Sequence, residues 1–245
     1  VRADWGANFT VPGAWTFFHP DSILIQTPEQ IREKFRRLGV RFACYCGGWV
    51  DPKHDRKRIG FGTGVLDDYW ADFRTRLRQA AARIREACPE VKVLVYYDTQ
   101  RDTAETGHER FRDSWLVGPT GQPLSTEWGG VYSLTWSMVA TLQNSFGRAV
   151  LDAVDRYRGE IGADGLYWDE MEGVAYGAPL LTYNVADGHS CLLDPKTYTI
   201  QREIGITTLL GEGHRLAVIE RARRHDGAVM GNGPACTRAI LAREA

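Results

Sequence analysis

Short β-favouring runs alternate with amphipathic helices along this 245-residue chain, and the alternation restricts it to folds built on a parallel sheet. Parallel neighbours cannot be joined by a tight turn. Each pair needs a crossover, which a helix makes in the right-handed sense. Residues 14–18, between Pro12 and Pro20, predict a first strand. Thr27-Pro28-Glu29-Gln30 is a capping box with Pro at the first helical position; Ile31, Phe35 and Leu38 then share one face, and Gly39 closes the helix. Residues 40–46 follow as a strand that runs into Gly47-Gly48-Trp49. Leu66, Tyr69, Trp70, Phe73, Leu77, Ala80, Ile84 and Ala87 recur at three- and four-residue steps, a second helix stopped at Cys88-Pro89. Residues 91–98 are a nearly continuous β-favouring run, as in a strand covered on both faces. A third helix spans 145–161, and Gly165-Leu166-Tyr167-Trp168 is a short strand that delivers Asp169 and Glu170. The pattern over 202–224 predicts a fourth, less regular helix with a break at Gly211 or Gly213, and 228–232 a fifth strand.

Two large architectures satisfy this order, the (β/α)8 barrel and the open doubly wound sheet. No GxGxxG or Walker A segment follows any strand, so the nucleotide-binding form of the open sheet lacks its signature. A barrel takes about 250 residues. Here a similar length holds only about five strands, because the connections 47–64, 99–143 and 171–199 are long. All three follow strands and therefore lie at the carboxyl ends of the sheet, where long loops are usually functional. The expectation is one α/β domain over residues 1–245, a (β/α)8 TIM-type barrel that is incomplete, with about five βα units and long loops on its C-terminal face. Residue 1 is Val, and the last residues read as the opening of a helix. The chain is therefore expected to be a segment of a longer parent, with a further C-terminal barrel segment.

Composition removes several classes of function. Lys plus Arg is 30 and Asp plus Glu 31, with no basic stripe, so no nucleic-acid partner is expected. No apolar run is long enough to span a bilayer, so no membrane partner is expected either. No signal peptide stands in this segment, which leaves the compartment open. The five cysteines include no CxxC pair and read as free thiols, mostly buried. The histidines form neither HxH nor HExxH. Neither a metal nor any other cofactor is expected.

Polar residues at the carboxyl ends of barrel strands are the first candidates for catalysis. In that reading the strands deliver Trp49, Asp98, the pair Asp169 and Glu170, and Asn232, a set dominated by acids and aromatics. Glycosidic cleavage needs one carboxyl group to protonate the leaving oxygen and a second as nucleophile, base or charge stabiliser. The 8 Trp and 10 Tyr offer flat platforms suited to sugar rings. The run Gly162-Ala163-Asp164-Gly165-Leu166-Tyr167-Trp168-Asp169-Glu170-Met171 resembles the fourth-strand region of TIM-barrel glycoside hydrolases, where such a run places a catalytic acid at the strand end. The resemblance identifies no single family. It implies a cofactor-independent glycosidase acting on an oligo- or polysaccharide, with Asp169 and Glu170 as the catalytic candidates.

Period-two geometry sends Asp169 and Glu170 to opposite faces unless the strand ends between them, and Asp169 is the preferred one if only one is catalytic. The plainer reading is a salt-bridged or capping pair. Asp98, in Tyr96-Tyr97-Asp98-Thr99-Gln100, is a sugar contact or a turn residue closing the strand. Tyr96 and Trp168 join it as candidate sugar contacts with Trp49. Asp187 and His189, in Asp187-Gly188-His189-Ser190, are a substrate contact or ordinary Asp-Gly turn chemistry. Asn232 could hydrogen-bond a hydroxyl, and Arg238 could clamp an anionic group. Two other functions fit the same fold: a non-catalytic carbohydrate-binding barrel, and a metal-dependent hydrolase.

Overall fold

The computed structural model describes residues 15–46, 49, 58–171, 174–175, 178–179, 181–233 and 236–243. Of the first long connection, 47–64, only Trp49 and residues 58–64 are therefore described. The fold is mixed α/β, organised on a five-stranded parallel sheet: β1 (Trp15–Phe17), β2 (Phe42–Tyr45), β3 (Lys92–Tyr97), β4 (Gly165–Trp168) and β5 (Ala228–Gly231). The strands lie side by side in chain order, β1-β2-β3-β4-β5, and every neighbouring pair is parallel.

The crossovers form where the periodicity places them. α1 (Pro20–Leu24) and α2 (Pro28–Leu38) link the first two strands. In α2, Thr27 Oγ1 accepts from the Gln30 amide at 3.3 Å and Gln30 Oε1 from the Thr27 amide at 2.9 Å. Gly39 ends it at φ 64, a left-handed backbone that glycine reaches without a Cβ clash. α3 (Ala71–Ala87) buries Phe73, Leu77, Ala80 and Ile84 against the sheet, and two short 3-10 turns precede it. α4 (Ser145–Arg156) widens into a π turn over Tyr157–Ile161.

One expectation fails. Residues 202–206 are not helical: Ile200–Ile206 is a strand, followed by a short helical turn and then α5 (Glu212–Arg223), with Gly211 at the junction. The strand pairs with Leu181–Thr182 on one side and Ser190–Leu193 on the other, and Asp187 Oδ2 accepts the Ile206 amide at 2.8 Å. These partners satisfy the backbone, and Ile200, Ile204 and Ile206 suit a pleated surface better than a helix. A second small antiparallel sheet, Arg101–Asp102, Thr135–Ser137 and Ser125–Thr126, occupies the connection after β3. A last short helix, α6 (Arg238–Leu241), follows β5.

The sheet faces helices on one side and bends inward on the other. Tyr45, beside Phe73 of α3 at 5.3 Å, and Tyr97, whose hydroxyl donates to the Val150 carbonyl of α4 at 2.8 Å, point toward the helices. Phe17, Cys44, Tyr96, Tyr167 and Met230 alternate with them and point inward. The Phe17 and Tyr167 rings lie 5.6 Å apart although two strands separate β1 from β4. Likewise Cys44 Sγ lies 3.9 Å from Met230 Sδ across two strands. In a flat sheet such pairs stand roughly 14 Å apart at the backbone. None of the five cysteines is in a disulfide, and they are not mostly buried as expected: Cys44 and Cys88 are buried, Cys46 is half-buried, and Cys191 and Cys236 are exposed.

Gly165 has a packing reason. A Cβ there would fall 1.9 Å from the Ala228 carbonyl oxygen of β5. Gly165→Ala is expected to lower stability by about 1–3 kcal/mol through this backbone conflict, read as a lower urea midpoint. An unchanged midpoint would show that β4 and β5 are not this close.

Candidate active site

Alternation decides which strand-end residues reach the concave face. Tyr96 stands opposite Tyr167, and Tyr167 opposite Met230, in one inward row. Two residues further on, the same face carries Asp98, Asp169 and Asn232. The ladder extends far enough to hold them: the Asp169 amide donates to the Tyr97 carbonyl at 2.9 Å, and the Asn232 amide to the Trp168 carbonyl at 2.8 Å.

These three residues and Tyr96 form one hydrogen-bonded cluster. The Tyr96 hydroxyl lies 3.2 Å from Asp98 Oδ2 and 3.3 Å from Asp169 Oδ2. Asn232 Nδ2 donates to Asp169 Oδ1 at 2.7 Å, and the Glu170 amide donates to the same oxygen at 3.1 Å. Asp98 Oδ1 accepts the Gln100 and Arg101 amides at 2.7 and 3.1 Å. Asp98 thus closes the strand with one oxygen and faces the cluster with the other. It is 2% exposed. Burial, followed by the charge of Glu170, pushes its carboxyl up to about 7, against the Gln100 N–H and the Arg101 charge. Asp169 is half-buried and Asn232 exposed. Cys46, just past β2, is raised to about 11 by burial and then by Asp169, so it is a neutral thiol near neutral pH.

Glu170 takes another course. Its φ of 48 turns the chain out of the strand. Its oxygens accept from Arg101 Nε at 3.1 Å and from a terminal guanidinium nitrogen at 3.3 Å. The two side chains are 18% and 9% exposed respectively. The Gln100 side-chain amide donates to the Glu170 carbonyl. Arg101 also reaches Thr126 Oγ1 at 3.3 Å and lies 5.7 Å from the Trp128 ring. Arg101 was not singled out from the sequence. The signal was present, a cation three residues beyond a strand-end acid.

Several sequence candidates stand elsewhere. Trp49 is fully buried among Tyr45, Trp70, Phe73 and Tyr157, with ring centroids 5.6, 6.3, 5.5 and 6.2 Å away. It is core of the helix layer and has no face for a sugar. Trp168 is also fully buried, edge-on to Tyr97 at 5.2 Å, and its Nε1 donates to Thr99 Oγ1 at 3.3 Å. Tyr96 is 2% exposed, so its hydroxyl rather than its ring serves the site. Asp187 Oδ1 accepts the His189 and Ser190 amides, each at 2.8 Å, which is turn chemistry inside the small sheet. His189 is exposed there, and Arg238 is exposed at the start of α6. Among the described residues, no group of three or more His, Cys, Asp or Glu is arranged to hold a metal ion.

No protein-family model matches the chain, and no curated protein sequence does. Its structural neighbours are glycoside hydrolases at low identity. The α-galactosidase from Lactobacillus brevis aligns over 90% of this chain and 26% of its own, at 10% identity and a TM-score of 0.51. A pullulanase from Anoxybacillus sp. LM18-11, complexed with maltotriose, aligns over 94% of this chain and 34% of its own, at 11% identity and 0.49. The α-N-acetylgalactosaminidase NagBb from Bifidobacterium bifidum, a quadruple mutant, aligns over 89% and 34%, at 13% identity and 0.48. The chain therefore spans 26% to 34% of the length of these proteins. The likeness to the α-galactosidase is one of fold.

Removing Arg101 leaves the Glu170 carboxylate enclosed without its partner. Arg101→Leu is expected to cost about 3 kcal/mol in urea unfolding, with most of it recovered in Arg101→Leu/Glu170→Leu. A double variant as unstable as the single one would mean that the loss is packing rather than charge.

Proposed function

We propose that the concave carboxyl end of this sheet is the acidic half of a glycoside-hydrolase site. In this reading β1 to β5 and their helices are five units of a (β/α)8-type barrel forming one catalytic domain. An open doubly wound sheet reverses its strand order at a switch point, and these five strands run in sequence without a reversal. The inward bend and the fold likeness to the α-galactosidase support the same reading. A closed barrel requires further strands between β5 and β1, which are edges among the described residues.

The observation that carries the function is Asp169. It is a half-buried acid at the carboxyl end of β4, on the concave face, linked to a second acid through a single hydroxyl. Its role is nucleophile or charge stabiliser, meeting the anomeric carbon as that centre becomes oxocarbenium-like. Asn232, exposed beside it, holds its carboxyl and is free on its outer side to meet a sugar hydroxyl. Asp98 is too enclosed to reach a leaving oxygen, and Glu170 gives both oxygens to Arg101. The general acid is therefore assigned to the strands that would complete the barrel. Trp128, with Tyr132 edge-on at 6.1 Å, offers the partly open aromatic surface that Trp49 and Trp168 do not. The substrate class is an oligo- or polysaccharide, and the chemistry requires no cofactor.

The test is a screen of the full-length protein on chromogenic glycosides, with Asp169→Asn and Glu170→Gln beside it. Asp169→Asn is expected to lose about 10⁴-fold or more in kcat, and Glu170→Gln much less. No turnover of any glycoside, or full turnover by Asp169→Asn, rejects the assignment.

A further inference from the structure

The chain of contacts from Asp98 through Tyr96 to Asp169 contains two oxygen–oxygen approaches, at 3.2 and 3.3 Å, and both involve the same phenol. A phenol has one hydrogen to give. With both carboxyls ionised, one approach would set a bare oxygen against a carboxylate, in a place where Tyr96 and Asp98 are each 2% exposed. An enclosed contact of that kind is strongly unfavourable. A second hydrogen removes it.

We infer that this chain carries that second hydrogen on Asp98 Oδ2, so that Asp98 donates to Tyr96 and Tyr96 donates to Asp169. Asp98 and Tyr96 are thereby positioning residues. The hydrogen count stands on the contacts alone, and only its catalytic meaning rests on the function proposed above.

Each donor and acceptor then has a consistent place. Asp98 Oδ1 keeps the Gln100 and Arg101 amides as donors, and Oδ2 meets the phenol. Asp169 accepts from Tyr96, Asn232 and the Glu170 amide, three donors that suit a charged carboxylate. The reverse arrangement, with Asp169 protonated and Asp98 charged, would put the charge at the more enclosed end.

The surroundings favour the same assignment. Glu170, from the turn after β4, faces Asp98 with a like charge, and Arg101, from the turn after β3, opposes it while paired to Glu170. Tyr97 of β3 and Tyr157 of the π turn lie within reach of the Asp98 charge, and burial raises both. Cys46 and Tyr167 face Asp169, and burial raises both of them as well. Burial followed by Glu170 takes Asp98 to about 7, well above its ordinary value of 3.8. The folded state therefore holds this proton more tightly than the unfolded chain does. Its contribution to stability is complete at low pH and is lost as pH rises from about 4 through about 7.

The test needs no substrate, so inactivity on glycosides leaves it untouched. Infrared spectra of the full-length protein with carbon-13 in its aspartate carboxyls are recorded at about pH 6 and about pH 8. The expected result is a protonated-carboxyl stretch at the lower pH that fades at the higher. Tyr96→Phe, which removes the acceptor of that hydrogen, should shift the band. Asp102, a separate buried acid that burial takes to about 6, adds a stretch of its own, so the comparison is made in an Asp102→Asn background, where the Asp98 band should persist. Asp98→Asn mimics the protonated form, since its amide can donate where Oδ2–H does. In the Asp102→Asn background it should abolish the band and flatten the fall in urea midpoint between the two pH values. An Asp102→Asn protein without the band at about pH 6, or a band in it unmoved by Tyr96→Phe, overturns the inference.

Discussion

The site lies on a sheet that bends until side chains from non-adjacent strands touch across its concave face. Bulk varies along the inner face. By register, one inward row runs Phe17, Cys44, Leu94, Gly165 and Ala228, and it thins to a glycine and an alanine at β4 and β5. The helix side of the same strands carries Tyr45, Tyr97 and Trp168, all fully buried. The small residues of this row let β4 and β5 approach closely, while Tyr96, Tyr167 and Met230 fill the next inward row. On that inner face Asp98 and Asp169 meet at the Tyr96 hydroxyl, and Asn232 joins them through Asp169.

Gathering acids in an enclosed place creates a charge problem, which the chain meets in two ways. Glu170 leaves the strand through a left-handed turn and is neutralised by Arg101, which also reaches Thr126 and thereby ties both strand-end turns to the small sheet. Asp169 remains on the concave face and is held by neutral donors, Tyr96, Asn232 and the Glu170 amide. Asp98, the most enclosed of the three, is pushed toward its uncharged form. Two neighbouring acids in the chain thus have different surroundings, and the half-turn of backbone between them is the reason.

Much of this architecture was legible in the chain. The capping box at Thr27, the stripe of α3, the β-favouring runs and the order of strand and helix are local signals, set by neighbouring residues and short periods. The sorting of Asp169 from Glu170 was also legible as an alternation, before any coordinates. Other features were not. Ile200–Ile206 became a strand because 181–182 and 190–193 supply its hydrogen bonds. Trp49 and Trp168 carry the composition of a sugar platform, yet they fill the helix layer, Trp168 on the face opposite Asp169 where alternation puts it and Trp49 past the strand end, where no period applies. Asp187 and His189 turned out to shape a hairpin.

The sequence by itself determined the elements, their order and the acidic character of the strand ends, because these follow from backbone preference and side-chain period over a few residues. Only the tertiary structure decided which acids meet. Strand pairing brings the ends of β3, β4 and β5 together, and Arg101 claims Glu170 from 69 residues away along the chain. Such contacts are set by packing between distant segments, and no local pattern encodes them.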